Sequence, residues 1–174
     1  RHVSFLYPSE DKLNKEKNQT RESSLVLNDI SLDISSGDII GIAGKTGSGK
    51  STIIDILCGL SAPTHGSVTV DSVDIFQNAS NRSWWLQQVS YVPQAIFLSD
   101  TTVLGNVLLG ADPNSVDLER LRWACDVAQA SEFIQKLPLS FNTPIGEGGV
   151  KLSGGQRQRI GLARAIYKKR TVLI

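Results

Sequence analysis

The octapeptide Gly44-Lys45-Thr46-Gly47-Ser48-Gly49-Lys50-Ser51 constrains this chain more than any other stretch, because it fits the pattern G-x-x-x-x-G-K-[ST] and stands between two apolar runs. Upstream, Asp38-Ile39-Ile40-Gly41-Ile42-Ala43 reads as a strand; downstream, Thr52-Ile53-Ile54-Asp55-Ile56-Leu57-Cys58 reads as a helix. Three glycines in eight residues let the backbone turn tightly and aim N–H groups inward, while the new helix adds the positive end of its dipole. Such a loop is a cradle for polyphosphate. Lys50 would place a point charge at the β- and γ-phosphates, and Ser51 is the natural ligand for Mg2+. Gly44, Thr46, Gly47, Ser48, Gly49, Lys50, Ser51 and Thr52 are therefore the candidate phosphate contacts.

At 174 residues, with ordinary apolar and charged content, the chain can build one sizeable core. Its 18 basic and 17 acidic side chains leave a formal charge of +1, so no global field attracts nucleic acid, and none is expected as a partner. Cys58 and Cys125 lack close-spaced ligand partners and sit in apolar helical contexts, which suits reduced, buried thiols. No run approaches the roughly 18 to 20 apolar residues that cross a bilayer, so a membrane role would have to come from a partner segment. The chain has no Met and stops inside Thr171-Val172-Leu173-Ile174, which reads as a fragment.

Val3-Ser4-Phe5-Leu6-Tyr7 alternates like a strand, and Ser9 to Ser24 is a polar surface loop. Alternation resumes from Leu25 to Ile34, with Ile30, Leu32 and Ile34 on one face, before Ser35-Ser36-Gly37-Asp38 turns the chain. Gly66 to Asp71 reads as a further strand and turn, and Val89-Ser90-Tyr91-Val92 as a short interior strand that delivers Gln94 after Pro93. Residues 102–136 switch to helical spacing, with Leu118, Leu121, Val127 and Ala128 as an interrupted stripe and Pro113 and Asn114 before a helix start. Of Trp84 and Trp85, at least one ring should be buried. Thr143 to Gly149 is Gly-rich and reads as flexible, Ser153 to Lys168 as a helix, and Thr171 to Ile174 as a buried strand.

Leu152-Ser153-Gly154-Gly155-Gln156 is the second informative segment. Ser153 can cap the helix that follows, and Gln156 stands three positions on, as in a capping box. The glycine pair lowers helix propensity by roughly 1 kcal/mol per residue, which makes sense where an anion must approach bare N–H groups. Ile160, Leu162, Ala163 and Ile166 form the buried side; Arg157, Gln158 and Arg164 form polar faces. One triphosphate needs two anion-binding helix starts only if they reach it from opposite sides or from different chains. The site is expected to be composite.

In this order, Gly44 to Ser51, then Gln94, then Leu152 to Gln156, the chain resembles the nucleotide-binding domain of ABC transporters over nearly all of its length. The resemblance implies an α/β fold with a P-loop NTPase core: a mainly parallel sheet, an N-terminal antiparallel β layer, a helical subdomain at about 98–165 and a loop insertion at 9–24. It implies ATP with Mg2+, and a head-to-tail dimer in which Ser153, Gly154, Gly155 and Gln156 face the γ-phosphate held by Lys50 of the partner subunit. Lys50, Gln94 and Ser153 would then be catalytic. Tyr7 looks like the aromatic that stacks on adenine, and Gln94 like the residue that touches Mg2+ or the attacking water. Thr143 to Gly149 resembles an exporter-type segment, with Glu147 contacting a transmembrane domain fused N-terminally. Tyr91 to Gln94 and Phe97 to Val103 favour an exporter or flippase on the cytoplasmic side of a membrane, the bacterial inner membrane by expectation, with a lipid or lipid-linked saccharide as cargo.

The family's acidic pair for Mg2+ and water is expected after Val172-Leu173-Ile174, so the chain by itself should hold phosphate without activating water. The rival readings are an ABC-type ATPase of nucleic-acid maintenance, a noncatalytic regulatory module and, more remotely, a small-molecule kinase. The span from Gln94 to Leu152 leaves little room for the coiled-coil segments the first would need.

Overall fold

The computed structural model describes residues 1–7, 25–111 and 116–174, so the expected loop at 9–24 and the helix-start signals at Pro113 and Asn114 lie outside the described residues. The described chain divides into two compact units, Arg1–Leu86 and Gln87–Ile174.

In the first unit, β1 (Val3–Phe5) pairs antiparallel with β2 (Leu27–Ile30), in register Val3 to Ile30 and Phe5 to Leu27. This is the expected N-terminal antiparallel layer. Val3, Phe5 and Leu27 bury against Ile56 of α1 (Lys50–Leu57), with Ile53 and Val68 at the margin. A two-residue hairpin follows, β3 (Thr69–Val70) and β4 (Val73–Asp74), where the sequence had been read as one strand and a turn. Asp71 and Ser72 both take positive φ, 48° and 68°, the geometry that matches a hairpin's twist.

Two expected strand segments differ. Residues 31–34 continue no ladder, and Ile30, Leu32 and Ile34 are all exposed. Residues 38–43 follow a tight turn in which Asp38 N–H donates to the Ser35 carbonyl, yet they have no ladder partner among the described residues, and Ile39 is 99% exposed. An interior strand is made by its neighbours, and apolar content cannot supply them.

Helix α2 (Ala79–Gln88) was not read from the sequence. Its signal is Asn78, whose Oδ1 accepts from Asn81 N–H at 2.8 Å. The helix carries both tryptophans: Trp85 is buried and donates its indole N–H to the Leu57 carbonyl at 2.7 Å, whereas Trp84 is exposed.

In the second unit, β5 (Val89–Ser90) and β6 (Val172–Leu173) form the parallel pair, extended by Val92 N–H to the Ile174 carbonyl. Among the described residues the strands form three separate two-stranded sheets, of which β5–β6 is parallel and the other two antiparallel, where a mainly parallel sheet was expected. The helical region comprises α3 (Val103–Val107), α4 (Leu118–Val127) and α5 (Ser131–Gln135), packed on α6 (Gly154–Tyr167). Val103, Val107, Leu121, Ala124, Ile134 and Ile160 are the centre of that core. Of the expected stripe, Leu121 and Ala128 are buried but Leu118 and Val127 are exposed, because α4 begins at Asp117, which caps it by accepting from Arg120 N–H. That start sets which face turns inward.

Candidate functional site

The loop from Gly44 to Gly49 ends by launching α1 without a side-chain cap, since its N-cap is Gly49. Gly49 holds φ +85°, and a Cβ there would stand 2.8 Å from Leu27 Cδ2 and 3.0 Å from the Val26 carbonyl oxygen. Only glycine fits both the left-handed backbone and the packing. A Cβ at Gly44 would stand 2.7 Å from Ser48 Oγ, so the loop is also tight at its other end. Lys50 reaches back across it, donating from Nζ to the carbonyls of Gly44 at 2.8 Å and Lys45 at 2.7 Å. A helix start with uncapped N–H groups, ringed by a lysine ammonium and two adjacent hydroxyls at Ser51 and Thr52, has the donor set that polyphosphate requires.

Tyr7 is brought to the same helix. Its hydroxyl lies 3.0 Å from Thr52 Oγ1, and its ring packs edge-on against Phe5 with centroids 4.9 Å apart. Tyr7 is 53% exposed and Thr52 only 4%, so the ring keeps an open surface while the threonine hydroxyl is enclosed. The sequence reading had placed both residues at a nucleotide without anticipating that they bond to each other.

Gln94 follows β5 and the Pro93 stop, and it is exposed. The segment behind it is held by Asn106, which is fully buried in α3. Asn106 Nδ2 donates to the Ser99 and Thr102 carbonyls and to Thr101 Oγ1, and its Oδ1 accepts from Ser99 N–H. Arg164 of α6 donates to the Asn106 carbonyl from Nε and to the Phe97 carbonyl from Nη2, each at 2.9 Å. Arg164 was expected on a polar face; it is turned inward instead, and burial draws its pKa below the usual arginine value. A solvent-side reading failed because its two shortest bonds go to main-chain carbonyls, which leave no trace in a sequence pattern; a longer one, 3.5 Å, reaches Asn106 Oδ1.

Helix α6 starts as expected. Ser153 Oγ accepts from Gln156 N–H at 3.2 Å, and Gln156 Oε1 accepts from Ser153 N–H at 2.8 Å, a complete capping box. Gly154 and Gly155 are exposed, and a Cβ on Gly155 would meet nothing within 4 Å. Packing among the described residues therefore does not require the glycine pair. Ahead of the helix, Ile145 is buried, Glu147 is exposed, and Gly149 faces Leu98 so closely that a Cβ would stand 2.6 Å from its Cδ1. The segment read as flexible thus has a defined turn at Glu147–Gly149, with Gly148 and Gly149 both at positive φ (57° and 68°), anchored on the core.

Comparison with known proteins gives the same picture. A family model described as ABC transporter matches residues 27–174. The chain is 38% identical over 175 residues to the mouse (Mus musculus) "ATP-binding cassette sub-family B member 10, mitochondrial", covering all of this chain and 23% of that protein. It is 42% identical over 149 residues to the "ATP-dependent lipid A-core flippase" of Chromohalobacter salexigens, covering 86% of this chain and 25% of the flippase. With the Escherichia coli O157:H7 "Alpha-hemolysin translocation ATP-binding protein HlyB" it shares 39% over 153 residues, 88% of this chain and 21% of that one. Among solved structures, "Structure of a bacterial Atm1-family ABC exporter with ATP bound" superposes with a TM-score of 0.82 at 29% identity, over 99% of this chain and 27% of that one. The chain spans at most about a quarter of the length of these relatives. With its phosphate loop, its capped glycine helix start and a family match that runs unbroken through both, the chain belongs to the ABC transporter family.

Proposed function

We propose that this chain is the ATP-binding motor portion of an exporter or flippase, and that two copies, or one copy and a related domain, close head to tail on ATP. The observation that carries this reading is the start of α6: a fully formed capping box whose glycines are exposed although no packing among the described residues needs them. A helix end built that way is suited to an anion arriving from another molecule.

Lys50 would give its charge to the β- and γ-phosphate oxygens, leaving the Gly44 and Lys45 carbonyls that it now bonds. The hydroxyl of Ser51 would hold Mg2+, which when bound neutralises charge building on the transferred phosphoryl group. Tyr7 would offer its exposed ring to adenine, and Gln94 would serve the metal or the attacking water. Ser153, Gly154, Gly155 and Gln156 of one copy would complete the γ-phosphate site of the other. In the whole protein, hydrolysis would reopen the pair, and the Gln94 and Glu147 segments would pass that motion to a fused transmembrane domain from the cytoplasmic side of the membrane. The 42% and 39% identities to proteins whose names describe a lipid A-core flippase and alpha-hemolysin translocation support export.

Light scattering on the chain with and without millimolar MgATP tests this. The expected result is an ATP-dependent doubling of mass that is lost in both Lys50→Ala and Gly155→Asp. A chain that binds ATP but stays a monomer would contradict it.

A further inference from the structure

The contact between Tyr7 and Thr52 joins a half-exposed phenol to an enclosed threonine on the first turn of the helix that follows the phosphate loop. Each hydroxyl has one proton to give, and the geometry lets either oxygen donate. Thr52 can donate to Tyr7 only while its proton is committed nowhere else. No other side-chain hydrogen bond of Thr52 occurs among the described residues. The phenol is the better donor of the two, being the more acidic, and its exposure lets water serve its remaining lone pair.

We propose that Tyr7 acts on phosphate through Thr52 as a positioning residue. When a phosphate oxygen takes the Thr52 proton, the bridge reverses, and the Tyr7 O–H then donates to Thr52 Oγ1. Thr52 stays fully hydrogen-bonded in its enclosed position, and its proton points at the phosphate. This rests on the nucleotide reading above and adds to it a role for the phenolic hydroxyl separate from any stacking by the ring.

The distinguishing probe is inorganic tripolyphosphate, which has no base to stack on. Its binding and that of ATP, each with Mg2+, are to be measured calorimetrically on the unsubstituted chain, Tyr7→Phe, Thr52→Ser and Thr52→Val. Tyr7→Phe keeps the ring and its packing on Phe5, and Thr52→Ser keeps the hydroxyl. The expected result is that Tyr7→Phe weakens both ligands by the same factor, about three- to tenfold, as for one net hydrogen bond. Tyr7→Phe should weaken binding by the same factor when added to Thr52→Ser, which keeps the hydroxyl, and should have no further effect when added to Thr52→Val. Unchanged tripolyphosphate binding in a folded Tyr7→Phe would overturn the proposal while leaving the nucleotide site intact. Failure of the unsubstituted chain to bind either ligand would instead overturn the nucleotide reading, and this proposal with it. Should Thr52→Val not fold, the Tyr7→Phe comparison decides alone.

Discussion

The Lys50 ammonium lies 2.8 Å from the carbonyl oxygen of Gly44, at the opposite end of the same loop. The lysine thus braces the loop from which its charge must act, and its amine is held near where phosphate oxygens would enter. Lys50→Ala should lower ATP affinity by about tenfold or more, the scale of a charge-assisted hydrogen bond, while changing the unfolding midpoint little because the side chain is not in a core. Calorimetric titration beside urea unfolding checks both halves.

Gly49 and Gly155 should respond in opposite ways to the same substitution. Gly49→Ala forces a Cβ onto Leu27 at φ +85° and should cost about 2 kcal/mol or more in stability. Gly155→Ala meets open space in a helical turn and should leave stability unchanged or raise it by up to ~1 kcal/mol. Even so, Gly155→Ala should weaken ATP-dependent pairing, because the new methyl covers N–H groups meant for an outside anion. Chemical denaturation and light scattering separate the two effects.

Asn106 is a second point where little substitution is tolerated. Asn106→Leu removes a fully buried amide and strands the Ser99 N–H, while the Ser99 and Thr102 carbonyls keep only their main-chain donors, so it should cost about 2 kcal/mol or more. Thr101→Val removes only one of its partners and should cost about 1 kcal/mol. Urea unfolding of the two variants, compared at equal m-value, gives the difference.

The two thiols make stability depend on alkaline pH. Burial first, and then a neighbouring carboxylate, Asp55 for Cys58 and Asp126 for Cys125, push both thiols from 9.0 to about 11. The unfolded chain therefore ionises them earlier than the folded one, so the stabilisation is complete below pH 9 and is lost as pH rises toward 11. Denaturation midpoints should fall across that window, and fall less in Cys58→Ala and Cys125→Ala. Alkylation at pH 8 should be slow until denaturant is added.

What the sequence made legible followed from local rules. The capping box at Ser153 and Gln156, the loop before Lys50 and the burial of Trp85 each depend on contacts within a few residues or on simple amphipathy, and each formed as read. What it concealed was non-local. The inward turn of Arg164 depends on carbonyls 58 and 67 residues away, and the Tyr7 to Thr52 bond spans 45. Ile39 was read as strand because it is apolar, yet strand formation depends on a neighbour that no single segment encodes. The helix at Ala79 was missed for another reason: its apolar spacing is weak, and only the Asn78 cap marks it.

The most direct test uses an equal mixture of two versions of the chain and an ATP analogue with a photoreactive group on its γ-phosphate. One version carries Lys50→Ala and holds the nucleotide about tenfold or more weakly, so the analogue is kept at a concentration that loads only the other; that other carries Gly155→Asp and cannot offer its helix start. Peptide mapping after illumination should find label on residues 153–156 of the Lys50→Ala version, delivered from the other molecule. Label confined to the version that holds the nucleotide would contradict a phosphate site shared between two chains.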